Sequence, residues 1–398
     1  MKIVFWAPFG IRPKGSLQAR MLPLAKELQR IGHQLEIIAP PYTNPEDSGL
    51  VEEVEGVTLR NVRLGPTDGP LAAPFIAWRM LRAALDQQPD LIHLFKPKGY
   101  GGLAAMALAG LRLAGRRRPL LVVDSDDREG NGGMNDLHPY SWAEKRLFSL
   151  QEQWLTRRAD GVTVASRSLE SLAWGMGARP EATLYLPNGP VVRAAGSREQ
   201  GRRRFGFGAR QPVLLLYTRF FEFDQQRLYA VLEQLCCRMP QMRLLVVGKG
   251  QQGEEQALEQ VADQRGFGEQ VTIAGWIRPE QLPDCLAAAD AALYLFDDTL
   301  INRTKCPAKL AELAACGIPT AAERVGQVPE YLQHGESGLL VESGEIDGLV
   351  QATQRLLTDR AIAERIGQAA RERMTTVFGW EKRADELDRF YQRVVAVC

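Results

Sequence analysis

Short, wholly apolar runs alternate with amphipathic helical stretches along this chain, and that rhythm constrains the fold more than any other feature. Ile3 to Ala7 is one such run. The loop Pro8-Phe9-Gly10-Ile11-Arg12-Pro13-Lys14-Gly15-Ser16 follows it, then a helical stretch with Met21, Leu24, Leu28 and Ile31 on one face that stops at Gly32, then a second strand, Gln34 to Ala39. Strands apolar on both faces need helices on both faces, which implies a parallel sheet. The rhythm continues through Leu91–Leu94, a helix over Gly102–Leu113, Leu120–Val123, a long helix over Trp142–Arg158 and Gly161–Val164. It breaks at Pro187-Asn188-Gly189-Pro190. The Arg-, Gly- and Ser-rich stretch from there to Gln211 reads as a linker. A second series then runs through Val213–Tyr217, Arg243–Gly248, Val271–Ile273, Ala291–Leu295 and Pro319–Ala322. The expected fold is α/β, with two doubly wound parallel sheets in domains spanning 1–192 and 205–377.

A length of 398 residues suits two such domains. A formal net charge of +1 argues against a nucleic-acid binder, which would carry a strongly basic face. The runs Arg116-Arg117-Arg118 and Arg202-Arg203-Arg204 read as solvated helix ends or linker. Six scattered cysteines without a CxxC pair, and an opening run too short for a secretory signal, point to reduced thiols and a cytoplasmic setting. The most membrane-like stretch, Leu103 to Ala114, falls short of the roughly 20 residues a spanning helix needs. Peripheral contact with the inner face of a membrane stays open. His93 and His138 are isolated and read as structural.

Ligands of open parallel sheets bind beyond the carboxyl ends of the strands, so two facing domains would place chemistry in the cleft between them. One stretch there is rich in signal: Asn302-Arg303-Thr304-Lys305-Cys306-Pro307-Ala308-Lys309-Leu310-Ala311-Glu312, ending at Cys316-Gly317-Ile318-Pro319. Pro307 suits a helix start and Gly317 its stop. The free N–H groups of that start favour a diphosphate. Lys309 in the first turn opposes the helix dipole, a placement most readily tolerated where an anion rests. Glu312, three residues on, shares its face and could accept hydroxyl hydrogen bonds from a ribose.

Lys309-x-x-Glu312, Gly317-x-Pro319 and Gly326-x-x-x-Glu330 together resemble the donor site of retaining GT-B glycosyltransferases, most closely those of family 4. Leu216-Tyr217-Thr218-Arg219, Val247-Gly248-Lys249-Gly250, Gly275-Trp276, Ala289-Asp290 and Gly335-Glu336-Ser337-Gly338 extend the likeness, as do Gly32-His33 and Leu186-Pro187-Asn188-Gly189 in the first half. Phe378-Gly379-Trp380 and the helix after it resemble the tail (378–398) that crosses back onto the first domain. The resemblance implies transfer of a sugar from a nucleotide diphosphate sugar to an acceptor hydroxyl, with retention, in the making of a glycan, polysaccharide or glycoconjugate. It implies a catalytic set of Asp126, Arg219 and Lys309. Gly15, Gly248, Lys249, Trp276, Lys305, Glu312, Gly326, Gln327 and Glu330 join Arg219 and Lys309 around the donor. No cofactor or metal is expected, because the family neutralises the diphosphate with Arg, Lys and helix dipoles. The acceptor class stays open among sugars, lipid-linked molecules and small molecules, its choice falling to loops such as Gly65–Pro74 and Gly130–Pro139.

The sequence departs from the family in three places. Thr304 stands where a second glutamate is usual, Phe220-Phe221-Glu222-Phe223 lacks the customary lysine, and Gly326-Gln327 replaces Gly-Gly. Either positive charge has been relocated to Lys305 and Lys309, the favoured reading, or the donor site has decayed. Decay would leave a non-catalytic nucleotide-sugar-binding partner of a transferase complex. A GT-B-fold sugar-nucleotide epimerase is the other alternative. Asp124-Ser125-Asp126-Asp127 could contact a sugar or acceptor, cap the next turn or hold a metal. Asp126 is the choice among them for sugar contact.

Overall fold

In the computed structural model, which describes all residues except 13, 14, 16, 66–69, 114–118, 192–194 and 398, the chain forms two units. The first comprises Met1–Gly189, Thr304–Cys306 and Gly379–Cys398; the second comprises Pro190–Arg303 and Pro307–Phe378. Arg116-Arg117-Arg118, Ser16 and part of the Gly65–Pro74 loop lie outside the described residues.

The first sheet has strands β1 (Lys2–Trp6), β2 (Gln34–Ala39), β3 (Val51–Val54), β4 (Val57–Asn61), β5 (Leu91–Phe95), β6 (Leu120–Ser125), β7 (Gly161–Val164) and β8 (Thr183–Tyr185). They lie in the order β3-β4-β2-β1-β5-β6-β7-β8, all parallel except β3. Alternate residues of β1 face opposite cores, as the two-residue strand period requires. Ile3 and Phe5 pack with Leu24 and Leu28 of the Leu22–Arg30 helix and with Leu387 and Phe390 of the final Trp380–Val397 helix. Val4 and Trp6 pack with Met80 of the Ala73–Asp86 helix and Leu108 of the Gly99–Leu113 helix. Within the Leu103 to Ala114 stretch, Ala104, Ala105 and Leu108 are buried in the core and Leu103, Met106 and Leu111 pack against it.

The second sheet has strands β9 (Val213–Tyr217), β10 (Arg243–Val247), β11 (Val271–Gly275), β12 (Ala291–Tyr294), β13 (Thr320–Glu323) and β14 (Leu339–Val341). Their order is β11-β10-β9-β12-β13-β14, and every pairing is parallel.

Two elements differ from expectation. The Arg198–Phe205 stretch is a helix, capped by the Ser197 hydroxyl and closed by Gly206 at φ 69°. It belongs to the second unit, where Arg202 is buried. The Arg202 guanidinium donates to the carbonyls of Gly208 (2.6 Å), Ala209 (3.0 Å) and Gln211 (2.9 Å) and to the Asp290 carboxylate (2.7 Å). The run Arg202-Arg203-Arg204 is a helix end, one of the two expected readings, and Arg203 and Arg204 are exposed, but Arg202 is buried and carries the packing. The β3–β4 hairpin is the second difference. Its two-residue turn, Glu55-Gly56, has φ of 51° and 84°, the geometry of a type I′ turn.

His93 is structural. A buried relay runs from the Tyr391 hydroxyl, which donates to His93 Nδ1 (2.6 Å), through His93 Nε2 to the Thr163 hydroxyl (3.1 Å), and from that hydroxyl to Asp124. Arg20 closes it with two bonds to Asp124 (2.9 and 2.6 Å) and one to Asn188 Oδ1 (2.8 Å). Burial, opposed only in part by Asp124, drives the imidazole pKa down to about 3, so the ring is neutral.

Candidate active site

In the second unit, the site begins where β9 ends. The chain leaves Tyr217 through Thr218 and Arg219 to Phe220, whose φ of 68° is a left-handed conformation that costs a phenylalanine energy. The neighbouring strand β10 is followed by Gly248, at φ 120°, where a Cβ would lie 1.8 Å from the Thr218 carbonyl oxygen. Only glycine lets the two loops approach this closely. Gly326 is equally constrained: at φ 53°, its Cβ would meet the Arg303 backbone at 2.7 Å.

The Ala308–Ala315 helix supplies the chemistry. Pro307 is its N-cap, one residue outside the helix, and Gly317 at φ 72° follows its end. Lys309 Nζ lies over the Tyr217 ring, 3.5 Å from the centroid, and among the described residues it makes no ion pair with a carboxylate. The Tyr217 hydroxyl donates to Glu312 Oε2 at 2.9 Å, so one tyrosine positions both residues of the Lys-x-x-Glu motif. Glu312 is 6% exposed. Burial, and then the nearby Arg219 charge, lower the Lys309 pKa to about 7 against the weaker pull of Glu312 and Glu222. Arg219 is half exposed, bonds Glu222 at 3.0 Å and stacks on Phe221. Tyr217, Thr218, Glu222, Tyr294 and Lys309 line one cavity.

The remaining donor-side expectations fall as follows. Lys249 is exposed in the turn after Gly248, and Trp276 is 68% exposed after β11. Gln327 is buried as N-cap of the Val328–Tyr331 turn of helix, and the Glu330 carbonyl accepts two bonds from Arg373. Lys305 is buried within Thr304–Cys306, a segment of the first unit, where the Thr304 carbonyl accepts from the Ser166 hydroxyl at 2.8 Å. The structure therefore brings Arg219, Lys309 and Glu312 together in one unit and assigns Lys305 to the other. Asp290, part of the Ala289-Asp290 pair that extends the resemblance, is taken up by Arg198, Arg202 and the Val213 amide.

In the first unit, Asp126 follows β6. Its carboxylate lies 2.8 Å from Lys96 Nζ. Burial pushes its pKa up to about 6, Asp127 and Asp124 adding to the effect and Lys96 opposing it. Lys96 also reaches Asp127 (2.7 Å) and Glu129 (3.1 Å). Those three carboxylates lie close enough to suggest a cation site, and the cation among them is the protein's own lysine. Sequence reasoning missed Lys96, although Lys96-Pro97-Lys98 directly after a strand's carboxyl end was a signal. Gly15 is exposed, and its carbonyl accepts from the Ala19 amide (2.7 Å) just ahead of the π-helical turn Leu17–Met21 that carries Arg20.

Residues 15–189 match the family model of a glycosyl transferase 4-like domain, and residues 197–373 match that of glycosyl transferases group 1. The chain is 29% identical to the GDP-mannose-dependent alpha-(1-6)-phosphatidylinositol monomannoside mannosyltransferase of Mycolicibacterium smegmatis, covering 94% of each. It is 25% identical to the D-inositol 3-phosphate glycosyltransferase of Mycobacteroides abscessus, covering 97% of this chain and 86% of that one. The crystal structure of HepE from Anabaena, in complex with UDP and glucose, superposes with a TM-score of 0.72 at 21% identity, covering 99% of this chain and all of that one. Two Rossmann-like domains with this motif set define a GT-B enzyme that uses a nucleotide sugar. The chain belongs to the retaining glycosyltransferases of family 4, and it is a hexosyltransferase of glycan synthesis. The non-catalytic partner and the epimerase are not favoured.

Proposed function

We propose that the donor's diphosphate rests against the start of the Ala308–Ala315 helix, between Lys309 and Arg219, with its ribose on Glu312. The observation that supports this is Lys309 itself: a desolvated ammonium held over an aromatic ring, its pKa lowered to about 7, regains its charge when an anion arrives. Gly248, Lys249, Trp276, Gly326, Gln327 and Glu330 frame the donor in this reading, which also assigns Gly15 and Lys305 to donor binding. In the transfer step the bond between the anomeric carbon and the diphosphate oxygen breaks. The acceptor oxygen bonds to that carbon, and the hydroxyl proton leaves with the diphosphate. Asp126 orients the attacking hydroxyl, and Arg219 and Lys309 stabilise the leaving group.

No metal is required in this reading, so a chelator should leave the rate unchanged. Thermal shift with GDP, UDP and ADP tests the donor assignment. The correct nucleotide at 100 times its Kd adds about 2.7 kcal/mol of stability, and Lys309→Ala should lose most of that shift. An equal shift in the variant removes Lys309 from the site.

Peripheral membrane contact of a cytoplasmic enzyme belongs to the same reading. No helix among the described residues is long and apolar enough to cross a bilayer. Leu71, Phe75 and Trp78, in and just before the Ala73–Asp86 helix, each expose more than half of their surface, and the exposed Arg82 lies one turn further on. Aromatic rings with adjacent arginines suit an anionic lipid surface. Sedimentation with phosphatidylglycerol vesicles, weakened in Phe75→Ser/Trp78→Ser and absent with phosphatidylcholine, is the expected result. Equal sedimentation of the variant would contradict it.

A further inference from the structure

Three residues, Thr304–Cys306, belong to the first unit although the chain before and after them belongs to the second. All three are buried, and bonds hold the segment at both ends. Just before it, in the second unit, Asn302 Nδ2 donates to the carbonyls of Glu222 (2.6 Å) and Asp297 (2.9 Å). Within the first unit, the Ser166 hydroxyl donates to the Thr304 carbonyl (2.8 Å). Asn188 then grips Cys306 twice: its backbone N–H donates to Sγ (3.2 Å) and its Nδ2 to the carbonyl oxygen (3.1 Å). Asn188 Oδ1 in turn accepts from Arg20 (2.8 Å), which Asp124 holds by two bonds. The buried relay through Thr163, His93 and Tyr391 stands behind Asp124.

What this grip fixes follows from covalent geometry. The Cys306 carbonyl lies in the peptide plane that joins Cys306 to Pro307, the N-cap of the Ala308–Ala315 helix. That plane is rigid, and the proline ring locks the next torsion, with φ at −74°. Only the ψ angle of Pro307 separates the held carbonyl from the first helical residue. A hydrogen bond at Cys306 therefore passes to the first turn of the helix, where Lys309 stands, with little slack.

Resting on the donor role proposed for that helix, we infer that Asn188 is a positioning residue of the transfer reaction. By holding the Cys306–Pro307 peptide plane, with Arg20 fixing its own amide, it sets Lys309 against the leaving diphosphate. It acts through Lys309 and not on the substrate itself. Charge placed in advance is effective only when placed accurately, and a displacement of about 1 Å can cost about 10²-fold in rate.

A double-mutant cycle on the full-length enzyme tests this. The rate is that of nucleoside diphosphate release, with water as acceptor, from GDP-mannose, UDP-glucose or ADP-glucose, whichever diphosphate raises the melting temperature most. Asn188→Ala should lower kcat about tenfold and change the donor KM by less than about twofold. In a Lys309→Ala background the same change should lower kcat by less than about twofold, because the group it positions is gone. Asn188→Asp keeps an acceptor for Arg20 but loses the donor to Cys306, so it should lose as much as Asn188→Ala. It also serves in place of the alanine variant should that one melt too low to assay. Equal losses in the two backgrounds would mean that Asn188 supports the fold at large, and they overturn the inference. Wild-type kcat in both Asn188 variants overturns it as well. Undiminished turnover of Lys309→Ala alone removes the donor-site reading first and this inference with it, so the two failures are distinct.

Discussion

Around the two proposed substrate positions, the units handle charge in opposite ways. In the first, Arg20 is held on Asp124, Lys96 on three acids and Lys98 on Glu129. In the second, Lys309 faces an aromatic ring, and Arg219 is half open to solvent with one carboxylate partner. The first arrangement is settled without a ligand, and the second is improved by an anion. Paired charge fixes a shape, and an unmatched cation recruits a substrate. That division fits a protein in which one unit presents an acceptor and the other holds a diphosphate.

The contrast is most exposed to test at Arg20. Removing one member of a buried ion pair leaves the other stranded, so Arg20→Ala should lower stability by about 3–5 kcal/mol in chemical denaturation. A paired Arg20→Met/Asp124→Leu change should recover most of that loss. Near-wild-type stability of the single variant would break the distinction from the first unit's side.

Lys309→Ala should act the other way round. Turnover should fall by about 10²-fold, the scale of losing one stabilising charge on a leaving group, while stability holds or rises. The sign follows from its lowered pKa: burying this cation disfavours the fold fully below pH 7 and progressively less as pH rises toward 10.5. The variant's thermal advantage should therefore be greatest at low pH, and a variant less stable than wild type at pH 6 would contradict this.

Nucleotide diphosphate affinity sharpens the same point. Below pH 7 Lys309 carries its charge, and above it the free protein must take up a proton to bind the anion. Titration calorimetry should show affinity falling by up to about tenfold per pH unit above 7, and Lys309→Arg should flatten the profile. A flat wild-type profile would place the anion elsewhere. The smallest effect is expected at Tyr217→Phe. Loss of one hydrogen bond to Glu312, worth about 1 kcal/mol, should raise the donor KM about fivefold with little change in kcat.

The alternation of apolar strands and amphipathic helices was legible because it is local, and so was the Lys309–Glu312 helix, whose start, stop and spacing lie within a dozen residues. The β3–β4 hairpin was also legible in principle: Glu55-Gly56 between alternating apolar and polar residues is a turn signal that was overlooked. The paired charges were not legible. Arg20 and Asp124 are 104 positions apart, and His93 and Tyr391 are 298 apart, so nothing in the sequence near either member announces the other. Arg202 shows the same limit, since its neighbours Arg203 and Arg204 have the same composition and only Arg202 is buried. Lys309 was read as a phosphate ligand from its place in the helix. That its ammonium rests on Tyr217 depends on a strand end nearly a hundred residues earlier.

A crystal soaked with the nucleoside diphosphate that most raises the melting temperature would test the central claim most directly. The account predicts density for two phosphates at the first turn of the Ala308–Ala315 helix, in contact with Lys309 and Arg219, with the ribose hydroxyls on Glu312. Density for the diphosphate at any other place in the second unit, with Lys309 still on the Tyr217 ring, would contradict it.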